Sequence, residues 1–281
     1  MRRAFTLIEM LVVVAIFTLL IAILLPTLSK AREAAKSVVC RANIASIGKA
    51  QLSYAAANKG HYTISTEWVW GKDRYPDGTK VPLGPGGVGQ QLDPTVVKNI
   101  QVGKLYSYHG VLEAFVCPVA MDKLPRQSWW TNKTMVRSYV QNGEAGAAAS
   151  KEWADKGWTA QERGATLRNP AEFAVFVEEN TFAINGWNTF NGMGMNDALF
   201  RLQPFDYDIL GSFHNTRAEL GDPINGPYYS PNDPLSSGDS HAFLADGHVE
   251  QVKYKGRISG GAFNNTTWSR MWCKDDVPVQ R

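Results

Sequence analysis

The feature that most constrains this 281-residue chain is an apolar run near its N-terminus. Residues 4–28, AFTLIEMLVVVAIFTLLIAILLPTL, follow two arginines and contain a single charged side chain, Glu9. A run of this length is long enough to cross the hydrocarbon of a membrane as a helix. Because an ionised side chain among hydrocarbon is costly, it normally has a partner. Glu9 therefore needs a cation, and no Lys or Arg occurs between Phe5 and Ser29.

Cleavage after Ala4 would supply that cation as a new N-terminal amine on Phe5. The leader, residues 1–4, is basic and ends in a small residue, but it precedes the apolar run. A secretory signal is instead cut after its apolar region. We therefore expect the apolar helix to remain on the mature chain. The alternative is an ordinary single-span anchor that contains an accidental Glu.

The segment Ala4-Phe5-Thr6-Leu7-Ile8-Glu9 resembles the signature of type IV pilins and type II secretion pseudopilins, with Ala4 where Gly is more usual. The resemblance implies that a prepilin peptidase cuts between Ala4 and Phe5 and that Phe5 is N-methylated. It also implies that Glu9 pairs with the amine of a neighbouring subunit during assembly. Pro26 falls where many of these proteins carry a helix-kinking proline.

The charge distribution predicts the location of each part of the chain. Arginines precede the span and the bulk of the chain follows it, so the positive-inside rule places the N-terminus in the cytoplasm and the body outside the inner membrane. We divide the chain into a leader at 1–4, a transmembrane assembly helix at 5–28 and an extracytoplasmic body at 29–281. The net charge of +3 is small and scattered, which does not favour nucleic acid as a partner.

The helix is expected to continue beyond the membrane. From Phe5 to Ala57 it would be a rod of roughly 80 Å. Its outer half has side chains at spacings of three and four, which is typical of a helix that packs on a sheet; these are Cys40, Ile44, Ile47, Gln51 and Tyr54. Lys59-Gly60 is a plausible end, because Gly accepts a left-handed turn.

The remainder predicts an α+β, pilin-like body, in which the helix packs on an antiparallel sheet with long loop insertions. Residues 173–177, FAVFV, form a continuous apolar run of strand length, and RSYVQNG at 137–143 predicts another strand. The segment 241–252, HAFLADGHVEQV, predicts a hairpin with a two-residue turn at Asp246-Gly247. In that register Ala245 faces His248.

Three further segments resemble a subgroup of pilin-like proteins with a large C-terminal body. They are Phe115-Val116-Cys117-Pro118, Asn169-Pro170-Ala171-Glu172 and Ala245-Asp246-Gly247-His248-Val249. The subgroup places a His about ten residues before the DG pair. His214 resembles that residue by its context, but it lies 32 positions before Asp246.

The three cysteines, Cys40, Cys117 and Cys273, lack the paired spacing of a zinc or redox motif. In an oxidising compartment the simplest arrangement is one disulfide and one remaining thiol. We favour Cys40 with Cys117, because Cys40 lies on the long helix and Cys117 follows a predicted strand that should pack against it. Three buried free thiols are the alternative.

The residues that invite a catalytic or metal interpretation are His214, His241, Asp246 and His248. In the predicted hairpin register both hairpin histidines share one face but lie roughly 13 Å apart, too far for one metal ion. Asp246 is explained by its turn. With no other recognisable catalytic motif, we expect no catalytic residues and no enzymatic activity.

Two other residue sets suggest binding. Hard oxygen ligands suited to calcium occur in one polar stretch, although Asp and Asn are also common in turns; they are Asp222, Asn225, Asp233 and Asp239. Nine tryptophans could contact a partner or sugar if exposed, or fill a loop-rich core.

The sequence thus predicts a pilin or pseudopilin subunit that assembles with other subunits. The alternative is a membrane-anchored surface module that binds polysaccharide or another envelope component through exposed aromatics.

Overall fold

The computed structural model describes the long N-terminal helix and the segments that pack against it. The described residues are 6–63, 67–69, 77–79, 100–123, 137–142, 145, 167, 169–178, 199–200, 214 and 237–255.

Helix α1 spans Leu7–Ala57, 51 residues, and passes through Pro26 without interruption. At the rise of an α-helix this is a rod of roughly 77 Å. Thr6 and Glu9 form a capping box at its start. At its end the Gly60 N–H donates to the Ala55 carbonyl at 2.8 Å, and Gly60 has a φ of 84°. The predicted end at Lys59-Gly60 is confirmed, and the glycine satisfies a carbonyl that the helix leaves free.

The two halves of α1 have different surroundings. Residues 7–28 are exposed throughout, and this is the one helix of the described segments that is long and apolar enough to cross a membrane. From Cys40 onward one face is buried against the body, at Cys40, Ile44, Ile47 and Gln51. This confirms the predicted stripe, with Tyr54 half-buried at its edge.

Five strands form one sheet in the order β3-β1-β2-β4-β5. Their bounds are β1 Tyr139–Asn142, β2 Ala174–Glu178, β3 Leu199–Phe200, β4 Ser237–Leu244 and β5 Val249–Lys255. The pairs β1–β2, β2–β4 and β4–β5 are antiparallel, whereas the two-residue β3 pairs parallel to β1. The α+β prediction is confirmed, and β3 is a parallel addition to a four-stranded antiparallel sheet.

The hairpin exists, but its predicted register is wrong by one residue. Phe243 pairs with Val249 and His241 pairs with Gln251. Three residues therefore form the loop, since the Leu244 N–H donates to the His248 carbonyl at 2.9 Å. Gly247 takes the positive φ, 99°, that a three-residue hairpin loop requires.

The segment around Cys117 also differs from the prediction. A short 3-10 helix, Leu112–Phe115, precedes Cys117, and a helix at Pro118–Lys123 follows it. Cys117 therefore lies between two helical turns and not at the end of a strand. Pro118 explains the second helix, because the fixed φ of proline suits the first position of a helix.

Phe243 of β4 packs directly on Gly48 of α1. A Cβ added there would overlap the ring of Phe243. We expect Gly48→Ala to destabilise the detergent-solubilised chain by about 1–3 kcal/mol through overpacking, despite a helix-propensity gain of about 1 kcal/mol. Chemical denaturation would measure this change.

The matched control is the double variant Gly48→Ala with Phe243→Leu, in which the smaller side chain relieves the overlap. The two substitutions should then be non-additive, with the double variant more stable than the sum of the single effects predicts. Additive losses would contradict the close contact.

Candidate functional site

A disulfide joins α1 to the turn between the two short helices. Cys40 is bonded to Cys117, with 4.8 Å between the Cα atoms and 77 positions between them in sequence. Both residues are fully buried. This is the pairing favoured from the sequence, although Cys117 reaches α1 from a helical turn.

A row of polar side chains crosses the sheet beneath this disulfide. Tyr139 on β1 pairs with Glu178 on β2, and the next neighbour across the sheet, His241 on β4, donates its N–H to Glu178 Oε2 at 2.9 Å. The Tyr139 hydroxyl donates to the Cys40 carbonyl at 3.1 Å, so the row faces α1. We call Tyr139, Glu178, His241 and the adjacent His214 the buried polar cluster.

Glu178 is the centre of the buried polar cluster. Its side chain is completely buried. Oε1 lies 3.0 Å from His214 Nε2 and 3.5 Å from His241 Nδ1. Both carboxylate oxygens therefore have partners, as a buried charge requires.

The surroundings of the cluster shift two pKa values. Burial alone would raise the pKa of the Glu178 carboxyl, but the charges and hydrogen bonds of His214 and His241 outweigh it and lower the pKa to about 2. Burial, reinforced by the charge of Glu178, raises the pKa of Tyr139 well above its ordinary value. Glu178 is thus an anion and Tyr139 a neutral donor.

His214 connects the cluster to the disulfide. Its Nε2 lies 3.7 Å from Cys117 Sγ, and its ring centroid is 4.3 Å from that of His241. Backbone hydrogen bonds with Asp239, of 3.1 and 2.8 Å, hold it at the sheet. His214 Nδ1 is buried and has no hydrogen-bond partner among the described residues.

This arrangement is not that of a nucleophilic triad. In a triad the two nitrogens of the imidazole contact different groups, one the nucleophile and the other the carboxylate. Here the same nitrogen, His214 Nε2, faces both Cys117 Sγ and Glu178. The sulfur is also already bonded to Cys40. The cluster therefore does not have the geometry of a triad that activates a cysteine nucleophile.

The candidate histidines fall into two groups in the structure. The rings of His214 and His241 are in contact. His248 is half-exposed, and its Nδ1 lies 2.6 Å from Asp246 Oδ1. The register makes His241 and His248 project from opposite faces, which corrects the predicted shared face. Glu178 was missed, although it lies two positions after Phe176, on the same face of the strand.

At the other end of α1, Glu9 has partners within its own chain. Its Oε2 accepts hydrogen bonds from the Thr6 N–H at 2.8 Å and from the Thr6 hydroxyl at 2.9 Å. The Glu9 N–H donates in return to the Thr6 hydroxyl at 3.3 Å. These donors are neutral, so they orient the carboxylate without supplying a positive charge, and no other described residue makes an ion pair with it. Ala4 and Phe5 lie outside the described residues.

The helix that follows Glu9 exposes a continuous apolar surface. From Met10 to Leu28 the large apolar side chains on all its sides are between 42% and 67% exposed, and Pro26 lies within this exposed segment. The Thr18 hydroxyl donates to the Val14 carbonyl at 2.6 Å, and the Thr27 hydroxyl to the Leu24 carbonyl at 2.8 Å. Such bonds hide polar hydroxyls from hydrocarbon, so the whole surface suits a membrane or a bundle of helices.

Residues 1–25 match the family model described as the prokaryotic N-terminal methylation motif. The chain carries a type IV pilin-like signal. Neither the curated proteins nor the solved structures give a match. The family match ends at residue 25, so the resemblances around Cys117, Asn169 and Asp246 stay predictions.

The remaining candidates fall largely outside the described residues. Asp222, Asn225 and Asp233 lie there, while Asp239 accepts a hydrogen bond from Gln251 Nε2 at 2.7 Å. The calcium site stays a prediction. Trp68 is the described tryptophan; it is fully buried and stacks on Phe115, with 6.0 Å between ring centroids.

The lowered pKa of Glu178 predicts how stability depends on pH. Its ordinary pKa is 4.5 and its folded value is about 2. The stabilisation is therefore fully present above pH 4.5 and is lost as the pH falls toward 2. We expect Glu178→Gln to flatten this acid-dependent loss of unfolding free energy, measured by denaturation at a series of pH values.

The control is Glu113→Gln, which removes an exposed carboxyl and should keep the wild-type slope between pH 4.5 and 2. A wild-type slope in Glu178→Gln would show that Glu178 is not held as a buried anion.

Proposed function

We propose that this chain is a structural subunit of a type IV pilus or a type II secretion pseudopilus. The observation that carries the proposal is the N-terminal methylation motif at residues 1–25 on a helix whose first half is apolar and exposed. The second half of the same helix is bound to a folded body, so the first half is available to other subunits. The motif concerns processing of the N-terminus, and we propose a structural role for the chain and not a catalytic one.

Processing and assembly follow from the N-terminal chemistry. Prepilin peptidase removes residues 1–4 and leaves N-methylated Phe5 at the start of the helix. The amine of one subunit then pairs with Glu9 of its neighbour. The Thr6 capping box supports this step, because it fixes the carboxylate at the helix start without neutralising it. Pairing two charges in a low-dielectric bundle removes the cost of the isolated anion.

The proposal also assigns a place to each part of the chain. Residues 5–28 cross the inner membrane, with the N-terminus in the cytoplasm, and later form the core of the filament. Residues 29–281 form the extracytoplasmic body. An apolar segment of 22 residues from 7 to 28 is roughly 33 Å long as a helix, close to the ~30 Å of hydrocarbon.

The surface-binding alternative has less support. It requires exposed aromatics, and Trp68 instead packs inside the core between Phe115 and Phe176. The other tryptophans lie outside the described residues. Binding of the full-length chain to an array of envelope polysaccharides would favour this alternative.

Two substitutions separate the charge of Glu9 from its capping role. Glu9→Gln preserves the cap, since glutamine also fits a capping box, but it cannot pair with an amine. We expect normal cleavage and loss of co-assembly with other subunits, measured by cross-linking in membranes that contain the full assembly machinery.

The matched control is Thr6→Val, which removes the cap and keeps the charge. It should weaken the helix start by about 0.5–2 kcal/mol and leave co-assembly in place. If Thr6→Val blocks co-assembly and Glu9→Gln does not, Glu9 acts through the cap and the proposed intersubunit pair is wrong.

A further inference from the structure

The cysteines and the buried polar cluster bring together a set of side chains suited to a metal ion. Cys40, Cys117, Glu178 and His214 each offer one ligand atom, and these atoms all lie within 4.8 Å of one another. All four residues are buried. Two sulfurs, one imidazole and one carboxylate are ligands that Zn²⁺ accepts in four-coordinate sites.

The spacing between elements fits a tetrahedral site. Usual zinc bond lengths place a sulfur and a nitrogen ligand about 3.6 Å apart, and a nitrogen and an oxygen ligand about 3.3 Å apart. Cys117 Sγ lies 3.7 Å from His214 Nε2, and His214 Nε2 lies 3.0 Å from Glu178 Oε1. Breaking the disulfide would free the two sulfurs to move apart to about 3.8 Å, the sulfur–sulfur edge of the tetrahedron.

We propose that the reduced chain binds one Zn²⁺ through Cys40, Cys117, His214 and Glu178, so that the metal and the disulfide are alternative occupants of one site. A dithiol or phosphine reductant supplies two electrons, and two protons complete the thiols. Zn²⁺ binding then displaces both thiol protons to solvent. Thiol–disulfide exchange with a small-molecule disulfide then takes two electrons from the two thiolates, re-forms the Cys40–Cys117 bond and releases the ion, while the small-molecule disulfide is reduced to two thiols.

The charges of the ligand set nearly balance in the zinc form. Two thiolates and one carboxylate are set against the dication, and the imidazole binds as a neutral ligand, which leaves one net negative charge on the site.

Hydrogen bonds already hold two of the proposed ligand residues in position. The His241 N–H donates to Glu178 Oε2 at 2.9 Å and holds that oxygen in place. The other oxygen, Oε1, faces the two imidazoles, and in the zinc form it would contact the metal in their place. Hydrogen bonds of this kind orient metal-binding carboxylates. Cys117 is held by its own N–H, which donates to the Ser138 hydroxyl at 3.0 Å.

Cobalt titration of the full-length chain in detergent tests this proposal. The chain carries Cys273→Ser, so that only two thiols remain, and is reduced with a phosphine. We expect one Co²⁺ per chain, with a thiolate-to-cobalt charge-transfer band and the visible absorption of tetrahedral cobalt. Zn²⁺ should displace it. The oxidised chain should bind at least tenfold more weakly.

Variants then identify the ligands. Cys117→Ser should abolish the charge-transfer band, and His214→Asn and Glu178→Gln should each weaken binding at least tenfold. His248→Asn, a change at the half-exposed histidine of the hairpin, should bind as the parent does. Equal binding by the oxidised chain, or cobalt binding that needs the thiols but neither His214 nor Glu178, would overturn the proposal.

X-ray absorption of the zinc-loaded reduced chain gives a test that does not depend on whether the variants fold. With all four ligands intact, it should show two sulfur and two nitrogen or oxygen neighbours around zinc. Absence of stoichiometric binding, or a shell without sulfur, would contradict the site.

Discussion

The packing of the outer half of α1 on the sheet supports every other feature of the described structure. One stripe of the helix, from Cys40 to Gln51, is buried against the body, and Gly48 allows the ring of Phe243 to contact the helix backbone. The disulfide from Cys40 to Cys117 holds the same face. Because this half of the helix is fixed, the other half can carry its apolar surface away from the body and into a membrane or filament.

The same interface contains the most costly group in the described core, the Glu178 anion. Burying a charge is tolerated only with several hydrogen bonds, and the two histidines and a backbone N–H supply them. Those histidines come from segments far from Glu178 in sequence. The buried polar cluster therefore joins β2, β4 and the residue at 214 beneath the helix, next to the sulfurs. Assembly with other subunits does not require such a cluster. For this reason we propose that Glu178 and His214 take part in binding a metal ion.

Local patterns were enough to predict the elements that one stretch of sequence determines. The period of the α1 stripe and the apolar run at 173–177 gave a helix and a strand close to those observed. The hairpin was predicted but not its register, because Asp246-Gly247 suits both a two-residue and a three-residue loop. The surroundings of Cys117 were mistaken because Pro118 starts a helix. The partners of Glu178 could not be predicted, since they depend on long-range contacts, although its spacing from Phe176 indicated the inner face.

The proposed assembly depends most directly on the first residues of the chain. Among the described residues the charge of Glu9 meets only the neutral cap of Thr6, and in the proposed assembly the Phe5 amine of a neighbouring subunit supplies the cation. The most direct measurement is mass spectrometry of the N-terminal peptide of the protein extracted from membranes that contain prepilin peptidase. We expect a chain that begins at N-methylated Phe5. A mature protein that retains Met1, Arg2, Arg3 and Ala4 would contradict it.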